Sequence, residues 1–124
     1  MCIRNSICVV VLGALTMGFA TVGCGESVAP DQVVHLDAAA DGSLRFARSS
    51  LQAAPGRVAV EMTNPSSIPH AIGIRGPDVG ESGQTVASGG RSRVEAQLKP
   101  GRYTLFCPVA GHEQAGMKAT LIVR

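Results

Sequence analysis

The chain has few aromatic residues: one Tyr, three Phe and no Trp among 124 residues. A ligand cage lined with rings is therefore not expected, and a core built from Val, Leu, Ile and Ala favours a small β-sheet protein. The chain also has no large excess of charge of either sign, because the formal net charge is only +2. The Arg and Lys residues are scattered, which argues against a nucleic-acid surface and against a polybasic membrane patch. At this length the chain has room for one domain.

Long uncharged runs are confined to the N-terminus. Residues 7–20 (ICVVVLGALTMGFA) follow Arg4 and lead through small residues to Cys24, the layout of a secretory signal. An uncleaved membrane anchor is the alternative, because the stretch could just reach spanning length. The segment Thr21-Val22-Gly23-Cys24 resembles the bacterial lipobox, whose Cys becomes the first mature residue and carries lipid.

This arrangement predicts an exported bacterial lipoprotein. We expect it to attach to the cell membrane through its N-terminal lipid alone and to face the periplasm or the cell exterior. The predicted segments are a signal peptide over residues 1–23, a lipidated Cys24 with a short tether over 24–31, and a folded domain over 32–124.

Cysteine is scarce once the signal is removed. Of the four cysteines, Cys2 and Cys8 leave with the signal and Cys24 is used by the lipid, so Cys107 stands alone. An exported thiol without a disulfide partner is liable to oxidation. A metal that holds the sulfur as a thiolate would explain its presence.

The rest of the sequence breaks into short β-type runs separated by turn residues. Apolar and polar residues alternate in several runs, as in residues 58–62 and 94–98, and no stretch has sustained helical periodicity. This pattern predicts an all-β fold, a two-sheet antiparallel Greek-key β-sandwich or barrel with about seven to eight strands. The candidate strands are Val33–Leu36, Leu44–Ala47, Arg57–Thr63, His70–Arg75, Arg93–Leu98, Arg102–Cys107 and Ala119–Val123.

Four side chains form a candidate metal site. Cys107, His112 and Met117 follow one another at intervals of five residues, and His70 lies far upstream at the start of a predicted strand. One thiolate and two imidazoles, with a thioether as a weak fourth ligand, suit a copper ion that changes oxidation state. Taken singly, a lone His is more often a surface residue, and a buried Cys or Met more often fills a core. Together, at this spacing in an exported chain, the four residues favour one bound copper.

The residues around these positions resemble a known family. The Cys-x4-His-x4-Met spacing, the Pro69-His70 pair and the run LKPGRY at residues 98–103 are similar to the plastocyanin/azurin group of cupredoxins. The resemblance extends from about Val33 to Arg124 and implies a cupredoxin-like fold. It also implies a type 1 (blue) copper, with both His ligands bound through the ring nitrogen nearer the backbone, Cys107 equatorial and Met117 axial.

One departure from the family pattern concerns the residue after the first His ligand. Asn is common there in the family, and its side chain ties the ligand loops together, whereas this chain has Ala71. The backbone N–H groups of Ala71 and Val109 are the expected donors to the Cys107 sulfur. Because such bonds tune a metal site, the reduction potential is the property that the departure affects.

The resemblance further implies an electron carrier that cycles between Cu(II) and Cu(I). We expect a monomer that is not an enzyme, binds no nucleic acid and meets redox partner proteins only transiently. The imidazole edge of His112 should reach the surface within a small apolar patch. The residues expected to form that electron-transfer patch are Ile68, Pro69, Val109, Ala110 and Ala115.

Other functions use the same residues differently. An extracytoplasmic copper carrier or store is the main alternative, although no Met-rich or His-rich tract accompanies the site. A copper enzyme would need further metal sites, which three histidines do not provide. Zinc would also accept a Cys-His-His set, so a zinc-binding or metal-free sandwich remains open. Of the residues outside the motif, His35 and Met62 are expected to be structural.

Overall fold

Eight β-strands and no helix form the part of the chain that this computed structural model describes, residues 28–124. The signal and lipidation predictions up to Cys24 lie outside the described residues. No segment within residues 28–124 is a helix of the length and hydropathy needed to cross a bilayer. The strands are β1 (Gln32–Asp37), β2 (Ser50–Ala53), β3 (Gly56–Thr63), β4 (Gly73–Gly76), β5 (Val79–Ser82), β6 (Arg91–Leu98), β7 (Gly101–Phe106) and β8 (Lys118–Val123).

The strands form two sheets, in the orders β1-β3-β6 and β2-β8-β7-β4-β5. The prediction of an all-β two-sheet sandwich is therefore confirmed. The prediction that it is antiparallel is wrong for two pairs, since β1 runs parallel to β3 and β2 runs parallel to β8. Hydrophobic alternation does not reveal strand direction, because side chains alternate between the two faces in either arrangement.

Alternating side chains build the core between the sheets. In β3, Val58, Val60 and Met62 are almost fully buried, and in β8 Leu121 and Val123 are buried in the same way. Met62 is thus a core residue, as predicted. Burying one such aliphatic side chain contributes about 1.5–3 kcal/mol. The core contains few rings, in keeping with the scarcity of aromatic residues.

Two strands were missed and one was misassigned. The run Leu44–Ala47 is a loop, in which Phe46 is buried and pairs with Ala38 as an isolated bridge. The short strands β2 and β5 were not predicted. Their sequences, SLQA and VGES, have little of the β-branched alternation that marks a strand, and they gain order from neighbouring strands.

The strand register defines two opposite poles of the sandwich. Asp37 at the end of β1 lies opposite Thr63 at the end of β3, and the loop after Thr63 leads to His70. We call this end the site pole. At the other end, Gln32 lies opposite Val58 near the start of β3. That end, the tether pole, also contains the β2–β3 turn, the β6–β7 turn and the end of β8.

Candidate metal centre

The loop of residues 64–70 brings His70 to the site pole. Asn64 begins the loop and is fully buried. Its side-chain N–H groups donate to the carbonyls of Ile68 at 2.8 Å and Val86 at 3.1 Å. Its side-chain oxygen accepts from the backbone N–H of Ser66 at 3.0 Å and from the Ser66 hydroxyl at 2.9 Å. Asn64 therefore fixes the shape of the loop before His70.

His70 itself is held by backbone pairing. Its N–H donates to the Val86 carbonyl at 3.1 Å, and the N–H of Val86 donates back at 2.8 Å. The predicted strand His70–Arg75 is thus shorter than expected, because His70 forms only this isolated bridge and β4 starts at Gly73. Because His70 lies outside β4, its ring extends towards the other ligand loop at the site pole, where its Nδ1 approaches that of His112.

The loop of residues 107–117 supplies the other side chains. It is closed by backbone bonds from the Cys107 N–H to the Met117 carbonyl and from the Met117 N–H to the His112 carbonyl, both 3.1 Å long. Gly111 and Gly116 adopt φ angles of 82° and 110°, a region that side chains disfavour. These two glycines let the chain turn sharply enough to return to β8.

Three donor atoms converge at the site pole. The Nδ1 atoms of His70 and His112 are 3.2 Å apart, and His112 Nδ1 lies 3.5 Å from Cys107 Sγ. The ligand atoms of these three residues all lie within 4.8 Å of one another. Donors bound about 2.0–2.3 Å from one cation lie roughly 3.3–3.7 Å apart, so the residues fit a single transition-metal ion.

The environment favours the neutral form of His70, which is the form that binds a metal. His70 and Cys107 are fully buried, whereas His112 is partly exposed. Burial lowers the pKa of His70, and the charge of His112 lowers it further. A neutral imidazole with its proton on Nε2 has a lone pair at Nδ1, the atom that lies 3.2 Å from His112 Nδ1. Within residues 28–124, Nε2 of His70 is buried without a hydrogen-bond partner, so the ring is oriented by packing and by its backbone.

Met117 is also fully buried, and the backbone bonds described above fix its position between Cys107 and His112. The amide of Ala71 donates to Cys107 Sγ at 3.5 Å, as expected. The expected second donor, the N–H of Val109, forms no such bond among the described residues. Instead, the Val109 carbonyl accepts from the His112 N–H at 3.0 Å.

Sequence reasoning missed the contacts that fix the two loops. Arg75 in β4 donates to Glu113, the residue after His112, and its guanidinium lies 4.7 Å from the centre of the Phe106 ring. This pair joins the 107–117 loop to the edge of β4. No sequence motif marks this pair or the Asn64 network. Each joins residues that are distant in sequence or that carry no metal-binding atom.

The five predicted patch residues belong to the two loops that carry His70 and His112. The ring centroids of His70 and His112 are 5.1 Å apart, so the loops that carry them lie side by side. Pro69, Ala110 and Ala115 are exposed, and Ile68 and Val109 are partly buried. His35, by contrast, is an exposed residue of β1 that lies 3.7 Å from the Glu61 carboxylate and is not part of the His70, Cys107 and His112 cluster.

The all-β sandwich, with a buried Cys and two His side chains converging at one pole, resembles a small copper protein of the cupredoxin type. No protein-family model and no curated protein matches the sequence. Solved structures do match. Auracyanin B has 25% identity and a TM-score of 0.67, over 78% of this chain and 91% of that chain.

Two other solved structures extend this similarity. Auracyanin from Roseiflexus castenholzii has 19% identity and a TM-score of 0.63, over 78% of this chain and 99% of that chain. A reduced mutant of amicyanin has 17% identity and a TM-score of 0.56, over 79% of this chain and 87% of that chain. The fold is that of the cupredoxins, and the resemblance predicted from the sequence is confirmed.

Proposed function

We propose that the protein is an electron carrier with one type 1 copper bound by His70, Cys107, His112 and Met117. The observation that carries the proposal is the convergence of two imidazole nitrogens and one cysteine sulfur at a buried pole. Copper bound there would supply a one-electron Cu(II)/Cu(I) couple. A buried thioether at Met117 supplies the weak fourth ligand that such sites use.

The protein's own contribution is rigidity. Asn64 fixes the loop that carries His70, while backbone bonds and the Arg75–Glu113 pair fix the loop that carries His112. A site held in one arrangement does not need to rearrange when its charge changes. Among the similar structures, auracyanin A is described as a blue copper protein, and amicyanin as reduced, oxidised and Cu(I) forms. These descriptions support a redox role for the copper.

The alternative of a copper carrier or store is less well supported. Handing a metal to another protein requires ligands that a partner can reach. Here His70, Cys107 and Met117 are fully buried, and only His112 is partly exposed. A site buried in this way favours moving an electron through the His112 edge over moving the metal itself.

The protein is proposed to be a carrier and not an enzyme. Within residues 28–124, the single cluster of potential metal ligands is the one at the site pole. A copper enzyme that relies on several metal centres would need more ligands than this cluster contains.

The partners are proposed to be redox proteins that bind briefly at the apolar patch around His112. A small apolar surface with few charges suits a weak complex that must form and separate quickly. The exposed Pro69, Ala110 and Ala115 provide such a surface. Glu113, the charged residue nearest to His112, is paired with Arg75 and so adds little net charge. We expect the protein to be a monomer between encounters.

The protein is further proposed to be exported and held at the cell membrane by lipid on Cys24. The segment Thr21–Cys24 supports this, as does the run 7–20 before it. In an exported protein Cys107 would need protection, because it is a free, buried thiol with no other cysteine to pair with in the described residues. A bound copper would protect that thiol from oxidation.

Addition of Cu(II) to the purified protein tests the copper proposal. An intense thiolate-to-copper band in the visible spectrum, saturating at one copper per chain and bleached by ascorbate, is the expected result. Zn(II) added in parallel should compete for the site without giving colour. A colourless copper complex, or a band that ascorbate cannot bleach, would contradict the electron-carrier proposal.

A further inference from the structure

The first described residues enter the sandwich at the tether pole. Asp31 is fixed there, because its N–H donates to the Arg57 carbonyl at 2.7 Å and its carboxylate accepts from the Arg57 N–H at 2.8 Å. β1 then runs from Gln32 to Asp37, towards the site pole. The chain that leads back to Cys24 therefore leaves from the pole opposite the metal ligands.

The tether is short compared with the length of the domain. From Cys24 to Asp31 the chain spans seven Cα–Cα steps, which reach about 25 Å at most and about 15 Å on average for a flexible chain. The six residues of β1 alone cover about 20 Å, and the ligand loops lie beyond their far end. To bring the site pole down to the bilayer, the tether would have to be almost fully extended.

Charge gives little additional preference. Lys99, Arg102 and Arg124 are exposed at the tether pole, and Asp31 and Asp78 lie at the same level of the sandwich. Arg57 is also exposed there, and it pairs with Glu95 at 3.1 Å. The net charge of this pole is therefore small. The length of the tether, and not attraction to anionic lipid, determines which pole of the domain can approach the membrane.

We infer that the anchored protein holds its site pole away from the membrane, so that its redox partner is a protein domain that approaches through water. This inference rests on the proposed lipid anchor at Cys24. A partner whose docking surface lies flush with the bilayer cannot reach the His112 edge in this orientation. The lipid and the electron-transfer patch occupy opposite poles, so anchoring does not compete with docking.

The inference can be tested with single tryptophans, because the chain contains no Trp. Ser88, which precedes β6, and Gln97, near the end of β6, are both exposed and lie at opposite poles. Ser88 adjoins Gly89, whose N–H donates to the Asn64 carbonyl, and Gln97 pairs with Arg57. Full-length lipidated Ser88→Trp and Gln97→Trp proteins would be reconstituted into phosphatidylcholine vesicles. Energy transfer to a dansyl-headgroup lipid is measured relative to the same vesicles without dansyl, which cancels any quenching by copper.

The expected result is transfer several-fold stronger from position 97 than from position 88, unchanged in 1 M NaCl. Inserting a flexible linker of about twenty Gly and Ser residues between Val28 and Ala29 should remove most of the difference, since that tether is longer than the domain. Equal transfer from the two positions, or stronger transfer from position 88, overturns the inference. A difference that survives the linker overturns the argument from reach.

Mass spectrometry and vesicle flotation of the same samples distinguish a failure of this inference from a failure of the proposed lipid anchor or of the proposed copper site. A chain without lipid on Cys24 overturns both the anchor and the orientation, while the blue band of the sample still reports on the copper site. A lipidated, blue protein with equal transfer from both positions overturns the orientation alone.

Discussion

Replacing Asn64 with Ala should destabilise the protein and loosen the metal site from a distance. Asn64 carries no metal-binding role, yet its side chain makes four hydrogen bonds, three within the loop that ends at His70 and one to Val86. The family's usual tie, an Asn after the first His ligand, is absent here because that position is Ala71. The Asn64 network is thus the side-chain support that this ligand loop retains.

The size of the effect follows from the partners that remain. The Ile68 carbonyl keeps the Ser66 hydroxyl at 3.1 Å, and the Val86 carbonyl keeps the His70 N–H at 3.1 Å. Each of the four lost bonds contributes about 0.5–1.5 kcal/mol to stability. The loss is smaller for the two carbonyls that keep another donor, and a small buried cavity adds to it. The free energy of unfolding should therefore fall by about 3 kcal/mol. With a urea m-value of about 1.5 kcal/mol per molar for a domain of this size, the midpoint should fall by roughly 2 M.

Urea unfolding of the copper-free protein measures this loss. Gln52→Ala is the control, since it removes one exposed bond from Arg124 and should cost less than about 0.5 kcal/mol. Asn64→Asp should be no better than Ala, because its carboxylate would face the Ile68 and Val86 carbonyls. The copper-loaded Asn64→Ala protein should also lose metal to a chelator faster than the wild type. A loss of stability below about 1 kcal/mol would refute the reasoning.

Three further substitutions test the ligands and the anchor. Cys107→Ser should abolish the visible copper band, because no other thiol follows Cys24, and a variant that stays strongly coloured would exclude Cys107 as the ligand. Met117→Leu should keep the colour but raise the reduction potential in a redox titration, since the thioether weakly stabilises the oxidised ion; a lowered potential would argue against an axial role. Cys24→Ala should release the protein from the membrane fraction or stall its processing, as seen by fractionation and mass spectrometry. Equal membrane retention with the signal still attached would favour the uncleaved anchor.

The sequence was sufficient to predict the fold class because alternation and turn residues are local signals. In β3, β6 and β7 the predicted runs differ from the observed strands by only one or two residues. The direction of β1 and the existence of β5 depend on which strands become neighbours, and no local pattern carries that information. His70–Arg75 was predicted as one strand because sequence alone does not distinguish an isolated bridge from the start of β4.

The candidate ligand residues were identifiable for a different reason. Three of them lie within eleven residues, and their spacing is imposed by the need to bring several donors to one ion. The supporting contacts have no such constraint. Arg75 and Glu113 are 38 residues apart, and Asn64 and Val86 are 22 apart. Such pairs become visible only when the fold brings the elements together.

The last prediction concerns where the electron enters. Ala110 is exposed, and it lies two residues before His112 in a loop whose own charge, on Glu113, is paired with Arg75. Ala110→Glu would add an unpaired charge to the apolar patch and hinder the close approach that electron transfer needs, without touching a ligand. Self-exchange and partner rates should fall, while the visible band stays unchanged. Ser88→Glu, which adds the same charge at an exposed position in another loop of the site pole, is the control. If Ala110→Glu exchanges electrons as fast as the wild type, the electron enters the protein elsewhere.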